Sequence, residues 1–155
     1  MILLLRNGSQ MLIAFDPGYT TGWCEVTDEG FPKDMGQIAY PDLTDFFRNR
    51  MGPQPYDRVV IEDYKVYRKK AMQHSGSDLK TSQVIGKIKF WAELNDLPVV
   101  MQPASILPIA QRWTQVKMPG NHAESHKISA FLHGAYYLMN AGIAKTALDR
   151  KYENG

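Results

Sequence analysis

The sequence predicts a mixed α/β layer fold, and three observations carry that prediction. Two strand-length apolar runs, at residues 11–15 and 58–63, both end in carboxylates: Asp16 after the first, Glu62 and Asp63 closing the second. Between them lies a stretch rich in β-favouring residues and turn signals. Beyond them, helical and extended patterns alternate, which is how neighbouring parallel strands are connected.

Residues 11–15 read as a buried strand that stops at the turn-forming Asp16-Pro17-Gly18. Residues 20–26 return as a second strand, Asp28-Glu29-Gly30 makes a turn, and residues 36–40 form a third extended stretch. Pro41-Asp42 opens a helix through Phe46, Phe47 and Met51 that Gly52-Pro53 closes. Residues 58–63 are the second buried strand, expected to lie parallel and next to the first. Residues 64–78 are polar, basic and glycine-containing, the composition of a mobile loop. Residues 79–94 carry Val84, Ile85, Ile88 and Trp91 at helical spacing, with Lys80 and Lys87 on another face. Residues 97–101 form a short strand and 104–113 a helix broken at Pro108. A last helix is expected over 121–140, capped by Asn121 and stopped near Gly142.

The chain's 155 residues suit one domain, 1–155, with 1–10 as a short N-terminal extension. With 44% hydrophobic, 22% charged and 11% aromatic residues it is too apolar to be disordered. No apolar run approaches the roughly 20 residues of a membrane-spanning helix. Residues 1–10 lack the pattern of a secretion signal, and the lone Cys24 suits a reducing cytoplasm, so a cytoplasmic protein is expected, with Cys24 as a strand residue. The net charge of +2 conceals a division. Residues 1–63 hold 5 Lys+Arg against 10 Asp+Glu, residues 64–127 hold 10 against 4, and the rest 3 against 2. An acidic part suited to cations followed by a basic part suited to polyanions is what an enzyme acting on nucleic acid needs.

If Asp16 and Glu62 end adjacent parallel strands, they meet at the sheet edge where α/β folds bind ligands. Two carboxylates so close repel unless a cation lies between them. Mg²⁺ favours such oxygens, and a pair of ions can drive phosphodiester hydrolysis. Alternation sends Glu62 and Asp63 to opposite faces, so Glu62 is the expected ligand and Asp63 a supporting or loop-capping residue. On the last helix, His122, His126, Ser129 and His133 fall along one face. His126 is a candidate for the metal site with His122 as a helper, while a polar seam of core histidines is the alternative. Glu124 is expected to complete a capping box with Asn121.

The segment Met-Leu-Ile-Ala-Phe-Asp-Pro-Gly-Tyr-Thr-Thr-Gly-Trp at 11–23 resembles the opening of RuvC-type Holliday junction resolvases. Val59-Val60-Ile61-Glu62-Asp63 is similar to that family's fourth strand with its catalytic glutamate, and Gln102-Pro103-Ala104-Ser105-Ile106 to the segment after its fifth. The run from His126 to Leu138 resembles its final helix, especially in phage-encoded relatives. The resemblance implies a ribonuclease H-like mixed five-stranded sheet flanked by helices, and a homodimer that nicks branched DNA symmetrically with Mg²⁺, or Mn²⁺ as substitute, two ions per site. Asp16, Glu62 and His126 would be metal ligands. Ser129 stands where the family usually has its last aspartate and cannot carry that charge.

Lys65, Arg68, Lys69 and Lys70, interleaved with Tyr64 and Tyr67, would meet DNA phosphates and unstacked bases, with Lys80 and Lys87 extending the track. Trp91 and its helix are candidates for the pairing surface. Besides a general nuclease or RNA-processing relative on the same fold, two rival readings exist. Asp-x-Gly-x-Thr also resembles the phosphate loop of actin-like and sugar-kinase ATPases, but those need two lobes and this length supplies one. A binder of branched DNA, its catalysis weakened or lost through Ser129, is the other.

Overall fold

Side chains alternate between the two faces of the sheet and both faces are covered, so five consecutive residues of the first strand, 11–15, are buried. The structure, a computed structural model, describes residues 10–63, 76–121 and 123–153. Its strands are β1 (Met11–Asp16), β2 (Thr20–Thr27), β3 (Pro32–Ala39), β4 (Tyr56–Asp63) and β5 (Val99–Pro103). They form one sheet in the order β3-β2-β1-β4-β5. β1 pairs antiparallel with β2 and parallel with β4, and β5 joins β4 in parallel. The helices are α1 (Leu43–Arg48), α2 (Gly76–Leu94), α3 (Leu107–Thr114), α4 (Ser125–Asn140) and α5 (Ala147–Glu153). Among the described residues no helix is long and apolar enough to cross a membrane.

On one face Met11, Ile13, Phe15, Trp23, Val59 and Ile61 pack against Leu43 and Phe47 of α1 and Val84, Ile88 and Trp91 of α2. On the other, Leu12, Ala14, Cys24, Val26 and Val60 pack against Ala110 of α3 and Ala130, Phe131, Leu132, Ala135 and Leu138 of α4. The period of two then dictates where the acids go. Asp16 follows Ala14 and Glu62 follows Val60 onto the α4 face, and Asp63 falls on the other. Phe15 lies opposite Ile61, so Asp16 and Glu62 leave the sheet side by side.

Several boundaries differ from the sequence reading. β3 starts at Pro32, because its first residues pair with β2 although their side chains are exposed. The chain turns through a 3₁₀ segment at Tyr40–Asp42 before α1, which is only 6 residues long. α2 begins at Gly76, inside the segment read as loop. β5 is displaced to Val99–Pro103 by its pairing with β4. A 3₁₀ turn at Ala104–Ile106 precedes α3, so Pro108 starts that helix rather than kinking it. α5 has no buried residue and thus no apolar stripe to announce it.

The last helix starts at Ser125 rather than Asn121. Glu124 makes no side-chain capping bond and instead ion-pairs with Lys127, so the Asn121–Glu124 capping box is absent. The cap comes from β3. Gln37 Oε1 accepts from the backbone N–H of His126 (3.1 Å) and Lys127 (3.3 Å), and its Nε2 donates to the carbonyl of Ala123 (2.7 Å). These are the second and third N–H groups of the helix, the ones a capping side chain normally serves.

Candidate active site

Asp16 and Glu62 sit at the carboxyl ends of β1 and β4, and the first turns of α4 lie over both. His126 Nδ1 is 3.2 Å from Asp16 Oδ2. Three residues along the helix, the Ser129 hydroxyl donates to Glu62 Oε2 at 3.1 Å. Four further on, His133 Nε2 approaches the same oxygen at 3.1 Å. The stripe expected at 126, 129 and 133 is therefore one face of the helix, and every member touches a strand carboxylate. His122 lies outside the described residues.

Burial raises the Asp16 carboxyl above its ordinary value; the hydrogen bond to His126 opposes this and the nearby Glu62 charge adds to it. Burial also pushes Glu62 upward, but hydrogen bonds, from His133 first and then from Ser129 and Asp16, hold it below its ordinary range. The hydrogen bond to Asp16 raises His126 above its ordinary 6.5, against a smaller loss from burial. The two carboxylates thus differ: the surroundings shift Glu62 toward its ionised form and Asp16 toward its neutral one.

A stability dependence follows from His126. Below pH 6.5 the imidazole is protonated in folded and unfolded chains alike, and its stabilising contact is fully present. As pH rises through its raised folded value the proton leaves and that contribution is lost. In EDTA, the melting temperature of the wild type is expected to fall over this window relative to that of His126→Gln. Parallel curves would sink the assignment.

Among the described residues, no group of three or more His, Cys, Asp and Glu side chains is arranged as a ready metal cluster. The donor chemistry nevertheless fits one hard divalent ion. Two carboxylates share one edge, and such ions take one or two carboxylates and complete their shell with water and phosphate oxygens. Ser129, 2% exposed and bonded to Glu62, supplies no further charge.

Beside this edge, Tyr19 and Tyr40 lie nearly parallel with centroids 6.3 Å apart. Lys80 Nζ stands 4.6 Å from the Tyr19 ring centre and 5.4 Å from that of Tyr40, and Lys87 Nζ stands 4.8 Å from the latter. Tyr19 and Tyr40 were not singled out in the sequence, since only contact across the β1–β2 and β3–α1 connections makes them a pair. Tyr64, Lys65, Tyr67, Arg68, Lys69 and Lys70 lie outside the described residues.

No family model matches the chain, and no curated protein matches it by sequence. Solved structures do match. The structure aligns with Thermus thermophilus RuvC in complex with Holliday junction substrate at a TM-score of 0.58 and 14% identity, covering 88% of this chain and 99% of that one. The fold is ribonuclease H-like, as in RuvC. A second Thermus thermophilus RuvC structure aligns at 0.54 and 13% identity over the same shares, 88% and 99%.

Three residues that hold this ribonuclease H-like edge together had only a weak sequence signal or none. Gln37 caps α4, Gln102 contacts His133, and Gly22 lets α4 approach β2. Gly22 and Gln102 stand inside segments of the family resemblance, with no role of their own marked there, and Gln37 was not marked at all.

Proposed function

We propose that the chain is a divalent-metal-dependent endonuclease acting on branched DNA, four-way junctions above all. The observation that carries this reading is the convergence of Asp16 and Glu62 from adjacent parallel strands beneath His126 and Ser129 of α4, on a ribonuclease H-like sheet. Asp16 and Glu62 would hold one ion, Mg²⁺ or Mn²⁺, since Ser129 leaves no acid on α4 for a second. An ion held by Asp16 and Glu62 would supply a more acidic water and a positive charge opposite the phosphodiester. His126, half-exposed and held by Asp16, keeps a proton at the mouth of the site for a phosphate or leaving oxygen. Ser129 and His133 hold the Glu62 carboxylate.

DNA contact is assigned to Lys80 and Lys87, whose ammonium groups are held over Tyr19 and Tyr40, and to Tyr64, Lys65, Tyr67, Arg68, Lys69 and Lys70, which follow the Glu62 strand directly in sequence. The match to RuvC bound to a Holliday junction supports a branched substrate. A second copy of the chain is the proposed pairing partner. Trp91 offers that partner little surface, being 2% exposed, packed on Phe15 and Phe47 and donating to the Arg50 carbonyl at 3.0 Å. Its exposed neighbours Phe90 and Leu94, with Met51, border an apolar groove of about 370 Å³ and suit that role.

A second reading, a non-cleaving binder of branched DNA, is favoured by the partners each carboxylate already has: His126 on Asp16, and Ser129 and His133 on Glu62. End-labelled four-way junction and matched linear duplex, incubated with Mg²⁺, Mn²⁺ or EDTA, decide between the two. Paired symmetric nicks on the junction alone, in metal alone, are expected. Tight junction binding with no nick in either metal establishes the binder, and equal cutting of linear duplex removes branch selectivity.

A further inference from the structure

His133 has 0% exposure, lies a full turn deeper along α4 than Ser129, and still reaches Glu62. A buried histidine requires a partner for both ring nitrogens, and the heavy atoms here identify which nitrogen carries the proton. Gln102, itself 7% exposed on β5, places its side-chain nitrogen 2.9 Å from the His133 carbonyl oxygen. Only an NH₂ group can bond to a carbonyl, so the amide orientation is determined. The same nitrogen lies 3.2 Å from His133 Nδ1. Facing a donor, Nδ1 must accept, and the proton of the neutral ring therefore sits on Nε2, which donates to Glu62 Oε2.

We infer that Gln102 and His133 form a fixed relay that makes His133 a neutral hydrogen-bond donor and a positioning residue for the Glu62 carboxylate. Two successive turns of α4 then send donors, Ser129 Oγ and His133 Nε2, to a single oxygen of Glu62. Where a second acid would add charge, the helix instead orients and stabilises the charge already present. Groups that orient a ligating carboxylate in this way commonly set metal affinity. The relay rests on the geometry alone; its effect on a bound ion rests on the proposed role of Asp16 and Glu62.

Two measurements separate these parts. Imidazole ¹⁵N NMR of the metal-free protein is expected to show His133 protonated at Nε2 and unprotonated at Nδ1. In Gln102→Leu, which removes the donor at similar volume, the Nδ1-protonated form is expected to appear. A wild-type His133 protonated at Nδ1 overturns the relay. Mn²⁺ binding, followed by electron paramagnetic resonance without DNA, is expected to weaken about 10- to 100-fold in His133→Leu. His133→Gln, whose amide can still donate, is expected to restore most of it.

Unchanged Mn²⁺ affinity in a folded His133→Leu protein overturns the positioning role, and Gln102→Leu gives the same reading should His133→Leu not fold. A wild type that binds no Mn²⁺ overturns the role toward the ion together with the proposed metal site, while the NMR result still decides the relay.

Discussion

Replacing Asp16 with asparagine is expected to reduce metal-dependent nicking of a four-way junction by at least about 10³-fold, equivalent to about 4 kcal/mol of transition-state stabilisation. The change keeps the size of the side chain and removes one of the two charges that would hold the ion. Its effect on the fold should run the other way. Burial raises Asp16 and the Glu62 charge adds to that, so the ionised carboxylate is a liability to the folded chain in the absence of metal. At a pH above the raised His126 value, where the contact to a protonated imidazole is lost, Asp16→Asn should therefore melt at or above the wild-type temperature in EDTA, and it should bind junction DNA at least as tightly. Loss of cutting with gain of stability is the signature of a site kept strained for function. Asp16→Asn protein that nicks at the wild-type rate would place the cleaving group elsewhere.

Gly22→Ala is expected to have the largest effect on the fold. Gly22 lies on β2 opposite Asp16 and faces α4. A Cβ there would come within 2.0 Å of the His126 carbonyl oxygen, 2.1 Å of its carbon and 2.7 Å of the Lys127 nitrogen. All three are backbone atoms of the first turn of α4, so no side-chain rotation relieves the overlap and the helix must move away from the sheet. A destabilisation of at least about 3 kcal/mol is expected, at the upper end of ordinary overpacking. For a chain of this size that is a fall in Tm of roughly 6–12 °C. His126 and Ser129 would leave their carboxylates with the helix, so nicking should fall with stability. Gly120→Ala, where an added Cβ meets nothing within 4 Å, is the control and should stay within about 0.5 kcal/mol. Equal melting of Gly22→Ala and wild type would rule out the close approach.

The strand carboxylates were legible because burial makes them so. An apolar run ending in Asp16 or Glu62 announces a strand whose last side chain must find a polar partner, and alternation says on which face. The stripe of His126, Ser129 and His133 was legible for the same reason, through helical spacing. What could not be read were contacts between residues far apart in the chain. The start of α4 was misplaced because a local cap at Asn121 looked sufficient, whereas the working cap, Gln37, is 89 residues away from His126. His133 was visible as one of a stripe, yet its function depends on Gln102, which arrives on β5 from 31 residues upstream. Trp91 misled in the opposite way. A large aromatic on a helix suggests either core or contact surface, and only the ring neighbours Phe15 and Phe47 decide for core.

The single cysteine has a practical consequence. Cys24 is fully buried on β2, and burial raises its thiol far above the range in which thiolates form, with the charges of Glu25 and Asp34 adding to the effect. Alkylating reagents and maleimide dyes act on exposed thiolates, so they should pass this residue by in the folded chain. Any cysteine introduced on the surface would then be the sole reactive one, and probes could be attached beside the Asp16 and Glu62 edge without first removing the natural residue from the core.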